Sequence, residues 1–299
     1  NHQASRDSSP AWIHRAPACV PVDQPPEGKH WIHEIKHDGY RAQLVIEEGT
    51  ARVFTRNGHD WSDRYPGIVR AGSNLPCRSA IIDGEAIVQN GNGGSDFGAL
   101  PAAIQSRSNN VILCAFDLLH LNGVDLRQQI LWDRRAELSN LLGGDPTNRI
   151  QFSEEFTGSG AEFFKACADN NLEGIVSKLT IAPYRSGRTK TWLKTKCFTE
   201  SDFIVIGTDR DRKTGALRAL LAHPESDGLL YAGAAFIAIG GKERDKFFFE
   251  VDRLTTSWAA FKSTKLLDVK WCRPKMAVRV KHLAGSKNLR HATVRGLAS

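Results

Sequence analysis

Residues 30–46 read HWIHEIKHDGYRAQLVI. Apolar side chains alternate along both halves, with Trp31, Ile32 and Ile35 before the centre and Leu44, Val45 and Ile46 after it. Between them lies Asp38-Gly39, a turn dipeptide. Local pattern alone predicts two strands joined as a hairpin, with Lys36 at its lip and Arg41 just past it. A hairpin requires neither cation. The choice for Lys36 is between a turn lysine in water and a nucleophile.

Working outward, strand-like runs follow at 51–56, 80–89, 111–118, 174–179 and 191–196, rich in Val, Ile and Phe and bounded by Gly, Asn and Asp. Two helices are predicted, at 127–142 with Gly143-Gly144 as a stop, and at 158–170 starting near Ser159. Residues 1–29 are proline-rich and read as an irregular arm. After about residue 198 the character changes, to short strands at 202–208, 217–223, 229–236 and 277–283 and a helix near 241–261. That inventory suits a small closed barrel such as an OB-fold. The expected class is α+β. The predicted domains are an arm (1–29), a larger domain of sheets with flanking helices (30–198) and a barrel (199–299).

The chain has 299 residues, a length suited to two domains, and its 41% hydrophobic and 24% charged residues are globular rather than disordered proportions. No apolar run is long enough to span a membrane, and no signal peptide is evident. The only methionine is Met276, so the sequence reads as a processed product or a piece of a longer one. The six cysteines form no CxxC pair and read as reduced thiols in a cytosolic protein. Charge is uneven. Residues 1–198 hold 22 Lys+Arg against 22 Asp+Glu, whereas residues 199–299 hold 18 against 11, so the net +7 lies in the last third. A basic third beside a neutral body points to a polyanion-binding face, with a solubilising surface as the plainer alternative.

Lys-x-Asp-Gly alone is weak evidence, expected by chance in about one chain in ten of this length. Here it belongs to an ordered set: Lys36-His37-Asp38-Gly39-Tyr40-Arg41, Arg56-Asn57-Gly58, Asp83-Gly84-Glu85, Phe116-Asp117, Glu173-Gly174-Ile175-Val176-Ser177-Lys178 and Trp192-Leu193-Lys194-Thr195-Lys196. The set resembles the covalent nucleotidyltransferases, which include ATP-dependent DNA ligases, RNA ligases and mRNA capping enzymes. Residues 31–41, Tyr184-Arg185-Ser186-Gly187-Arg188 and Leu289-Arg290-His291 are most similar to the ligase module of the bacterial ligase D family, which acts in non-homologous end joining. That family closes on R-H-P-x-F-x-G-L-R. Here Ala292, Val294 and Ala298 stand where the pattern has its Pro, its aromatic residue and its last Arg.

The resemblance implies an ATP-dependent DNA ligase that seals 5′-phosphate/3′-hydroxyl nicks through a lysyl-AMP on Lys36. The attack needs an unprotonated amine, whereas a lysine in water keeps its proton to about pH 10.4. Burial, cations or a metal must therefore assist it, with Arg41, Arg188, Lys194 and Lys196 as candidate cations. The resemblance assigns a divalent ion, Mg²⁺ or Mn²⁺, to Glu85 and Glu173. It assigns the adenine slot to Phe116 against Val176, with Ile35 alongside. Glu34 accepts from the adenine amino group, which favours ATP over GTP. Arg41 and Arg56 are expected to hold ribose or phosphate of the nucleotide, with a contact to the DNA 5′ phosphate as the alternative for Arg56. Lys281, Lys287 and Arg290 serve DNA or pyrophosphate. The implied partner is nicked duplex DNA, with an end-binding repair protein in addition, for a cytoplasmic monomer. The alternatives are an RNA ligase or capping-type guanylyltransferase, and a nick-binding module without chemistry.

Overall fold

In a computed structural model describing residues 17–91, 94–144, 148–226, 228–259, 268–285 and 288–298, the opening stretch is not a hairpin. Strand β2 (Trp31–Ile35) and strand β3 (Tyr40–Glu47) lie in different sheets. Residues 36–39 are the crossover. Lys36 N–H donates to Gly174 O at 2.9 Å, extending the pairing of β2, and Asp38 N–H donates to Ser95 Oγ at 2.9 Å. Tertiary pairing overrides the local turn signal. Gly39 is needed for close approach, since a Cβ there would run into the Ala86 carbonyl and the Ile87 side chain. Gly39→Ala should cost about 3 kcal/mol, read as a lower urea midpoint. An unchanged midpoint would contradict this packing.

The described residues divide into two compact units, one ending at Lys196 and the other beginning at Cys197. In the first unit, the remaining strands are β1 (Pro17–Pro21), β4 (Thr50–Thr55), β5 (Ser79–Val88), β6 (Val111–Leu121), β7 (Val124–Asp125), β8 (Ile150–Phe152), β9 (Glu155–Phe156), β10 (Gly174–Leu179) and β11 (Gly187–Lys196). They form two sheets, ordered β1-β11-β10-β2-β9 and β4-β3-β5-β6-β7, with β8 beside β6. Most pairs are antiparallel, but β1·β11 and β6·β8 are parallel. Strand β1 corrects the expectation of an irregular arm. Its prolines, Pro17 and Pro21, sit at the two ends of an edge strand, where a missing N–H is tolerated.

Helices α1 (Pro66–Ser73), α2 (Leu100–Gln105), α3 (Leu131–Leu142) and α4 (Gly160–Asp169) flank the sheets. One core joins Leu44, Val53, Ile82 and Leu113 of the second sheet to Ile68 of α1, Leu100 of α2 and Leu138 of α3. Helix α3 ends on Gly143, whose φ of 67° is a left-handed cap. Helix α4 starts on Ser159, whose Oγ accepts from Glu162 N–H.

The second unit holds β12 (Phe198–Arg210), β13 (Leu217–Glu225), β14 (Gly228–Ile237), α5 (Gly241–Arg253), β15 (Lys270–Leu283) and β16 (Thr293–Leu297). The strands close in the order β12-β13-β14-β16-β15, with α5 between β14 and β15 in the chain. This is an OB-fold barrel. Pro274 falls at a break in the β12·β15 register, where β15 need not donate. Among the described residues no helix is long and apolar enough to cross a membrane, and no disulfide joins the six cysteines.

Candidate active site

The pocket lies between the two sheets of the first unit. Its walls include Glu34, Ile35, Lys36, Arg41, Glu85, Phe116 and Val176, and also Cys19, His37, Ser153, Lys178 and Trp192. The crossover from β2 to β3 brings Lys36 to this place, because the chain must leave one sheet for the other where the pocket opens.

Lys36 Nζ lies 2.7 Å from Glu173 Oε1, and Lys196 Nζ lies 3.5 Å from the same oxygen. Burial presses Lys196 below the usual lysine value, with Glu173 opposing. The second carboxylate oxygen, Glu173 Oε2, is buried and has no hydrogen-bond partner. A buried anionic oxygen without a donor is costly, and a cation would relieve it. Glu85 is a second carboxylate on this pocket, opposite Arg41 in the β3·β5 ladder. Two carboxylates suit a divalent ion that keeps much of its water, so the residues present fit the metal. Among the described residues no group of three or more His, Cys, Asp and Glu is gathered as a metal cluster.

Burial pushes the Glu85 carboxyl up to about 7, against the lowering influence of Arg41 and Lys36. The folded chain thus holds a proton that the unfolded chain releases. Stability should fall as pH rises from the ordinary carboxylate range through about 7. With divalent ions chelated, Glu85→Gln should flatten this decline, measured as urea midpoints along a pH series. Parallel declines in both proteins would refute it.

The other expected residues are placed as follows. Arg41 is committed to a buried partner. Its Nε and Nη2 donate to Asp83 at 3.0 and 2.7 Å, and its Nη1 donates to Pro17 O at 2.6 Å. Tyr184 Oη donates to the same Asp83 at 2.8 Å. Arg41 therefore forms a wall of the pocket, its guanidinium 5.2 Å from the Phe116 ring centre. Arg56 and Arg188 are exposed and do not line the pocket, and Lys194 is half-buried on β11 outside it. Lys281 lies on β15 with its ammonium 4.8 Å from the Phe198 ring, and burial presses Arg290 below the usual arginine value. Lys287 lies outside the described residues.

Sequence reasoning missed three contributors. Lys178 is 2% exposed, with Nζ 2.6 Å from Glu34 Oε1 and 4.2 Å from the Phe116 ring centre. Arg135, on α3, donates from Nη1 to Glu34 Oε1 at 2.9 Å. His37 is held at about 4 by burial, hence neutral, and its Nδ1 is buried without a partner. A signal for Arg135 was available. The buried stripe of α3 runs through residues 131, 134, 135, 138, 141 and 142, so Arg134 and Arg135 occupy core positions of the helical period. An arginine there requires an acid opposite. Arg134 has Asp117, bonded bidentately at 2.7 and 2.8 Å.

A lysine at the mouth of a pocket between two sheets, with a carboxylate on its amine and an OB-fold barrel following in the chain, defines a nucleotidyltransferase-type protein. The chain belongs to the ATP-dependent DNA ligase family: residues 22–196, more than half its length, match the model of the ATP dependent DNA ligase domain. It is 36% identical over 230 residues to the multifunctional non-homologous end joining protein LigD of Pseudomonas aeruginosa, covering 75% of this chain and 27% of that protein. The LigD of Mycolicibacterium smegmatis is 26% identical over 281 residues, covering 91% of this chain and 36% of the relative. The chain thus spans about a third or less of these relatives' length. In fold it is similar to mycobacterial DNA ligase D complexed with ATP and MES, with a TM-score of 0.58, 23% identity and 95% of each chain covered. The ligase domain of M. tuberculosis LigD gives 0.55 at 24% identity, again over 95% of each chain.

Proposed function

We propose that this chain is an ATP-dependent DNA ligase that seals nicks in duplex DNA, and that it serves end joining as the names of its LigD relatives indicate. The observation that carries the reading is Lys36 Nζ, 2.7 Å from Glu173 at a pocket walled by Glu34, Phe116 and Val176. Lys36 Nζ attacks the α-phosphorus of ATP. A P–N bond forms, the bond to the bridging oxygen breaks, pyrophosphate leaves, and the amine gives up its proton. Glu173 aims the amine and, with Glu85, would hold a divalent ion, which would supply charge to neutralise the phosphate oxygens. Phe116 and Val176 offer an apolar slot to the base. Glu34, kept ionised, accepts from the amino group of adenine. Guanine presents a carbonyl at that position, so this carboxylate disfavours GTP and the capping-type reading. AMP then passes to the 5′ phosphate at the nick, and the 3′ hydroxyl displaces it.

The basic barrel supplies the sequence-independent grip on DNA. Lys281→Ala should flatten the log–log salt dependence of nick binding by about one unit if that ammonium meets a phosphate. An unaltered slope would remove Lys281 from the DNA face. The overall reading is tested with α-labelled ATP and a 5′-phosphorylated nicked duplex. The expected results are a covalent acid-labile adduct and a sealed strand. Labelling from GTP in place of ATP would overturn the reading.

A further inference from the structure

The carboxylate assigned to the base is held by a dedicated arginine. Arg135 is 3% exposed and ties α3 to four places around the pocket. Its Nη1 donates to Glu34 Oε1 at 2.9 Å and to Phe116 O at 3.2 Å. Its Nη2 donates to Ser153 O at 2.6 Å and is paired with Glu155. Its guanidinium lies 4.5 Å from the Phe152 ring centre. One side chain thus touches Glu34 on β2 in one sheet and Phe116 on β6 in the other. Ser153 completes the hold, its Oγ donating to Glu34 Oε2 at 2.7 Å. With Lys178 on Oε1, the carboxylate is fixed from both of its oxygens.

Resting on the functional reading above, we propose that Arg135 is a positioning residue for base selection. It sets the angle and charge of Glu34 so that this carboxylate accepts from the 6-amino group of the purine, and Ser153 supports it from the other oxygen. The chemistry agrees. Burial alone would push the Glu34 carboxyl up, but the charges of Arg135 and Lys178, with the Ser153 hydroxyl, outweigh it and hold the group below the usual range. A carboxylate that stays ionised only accepts, and so discriminates for an amino group and against a carbonyl. The planar fork is what permits several acceptors to be held in fixed directions, which a lysine's single ammonium cannot reproduce.

The test compares ATP with purine riboside triphosphate, which differs only in lacking the 6-amino group. Covalent labelling is measured with each nucleotide for the wild type, Arg135→Lys and Ser153→Ala. Loss of a hydrogen bond to a charged acceptor costs a factor of about ten or more, so the wild type should prefer ATP by about that factor. Both variants should label less from ATP but nearly as well from the desamino analogue, so that the preference shrinks toward unity. Damage to the fold would depress both nucleotides together, leaving the ratio intact. Ser153→Ala removes a single hydroxyl and keeps the test available if Arg135→Lys does not fold. A labelled wild type whose variants keep the wild-type ratio would overturn this inference alone. A wild type that labels with neither nucleotide would overturn the functional reading and this inference with it.

Discussion

Replacing Lys36 with alanine should abolish covalent labelling from ATP and reduce the sealing of a 5′-phosphorylated nick by at least about 10⁴-fold. The amine is the atom that bonds to phosphorus; the other pocket lysine, Lys178, is held 2.6 Å from Glu34 Oε1 instead. Lys196 lies 3.5 Å from the same Glu173 oxygen but belongs to β11 and does not line the pocket. Sealing of a nick that already carries AMP needs no lysine nucleophile and should survive in part. The two assays together separate loss of the nucleophile from loss of the fold. A Lys36→Ala protein that still forms the labelled adduct would remove Lys36 from its role.

The second large effect is expected at Glu173. Its Oε1 holds the Lys36 amine at 2.7 Å, and its buried Oε2 has no donor. Glu173→Ala should lower adenylylation by about 10²- to 10³-fold, because the amine loses its aim and the pyrophosphate its organising cation. Glu173→Gln separates the two contributions. It keeps the shape and an oxygen for the amine, but not the charge for a metal. Raising Mn²⁺ should restore some activity to the glutamine variant and little to the alanine variant. The direct check is a titration of labelling rate against divalent ion for all three proteins. Full wild-type labelling under chelation would contradict the assignment.

Much of this molecule was legible in the sequence. The strands at 174–179 and the helix capped by Ser159 announce themselves, because their signals are local: β-branched apolar runs, and a serine whose hydroxyl meets a free helical N–H. The barrel was readable from strand count and the placement of one helix. What failed was a local rule with a non-local answer. Asp38-Gly39 looks like a hairpin turn, yet Gly39 is glycine because the backbone of β5 passes where its Cβ would be. Nothing in residues 30–46 tells a reader that β10 and β5 compete for the two halves. Helix α1 was missed because it opens on Pro66-Gly67, a turn-like start. Within the site, Lys36, Glu85, Phe116 and Glu173 came from an ordered set of motifs. A bare sequence does not reveal that Asp83, two residues before Glu85, holds the Arg41 guanidinium. Arg135 was not singled out, although the helical period put it on the buried stripe.

The central claim is that Lys36 carries AMP in the first covalent step. The most direct measurement maps the adduct: the chain is incubated with ATP and a divalent ion, digested, and its peptides are sequenced by mass spectrometry. The account predicts one AMP per chain, in phosphoramidate linkage to Lys36. AMP on another residue, or an unmodified Lys36 peptide in a chain that nonetheless seals nicks from ATP, would contradict it.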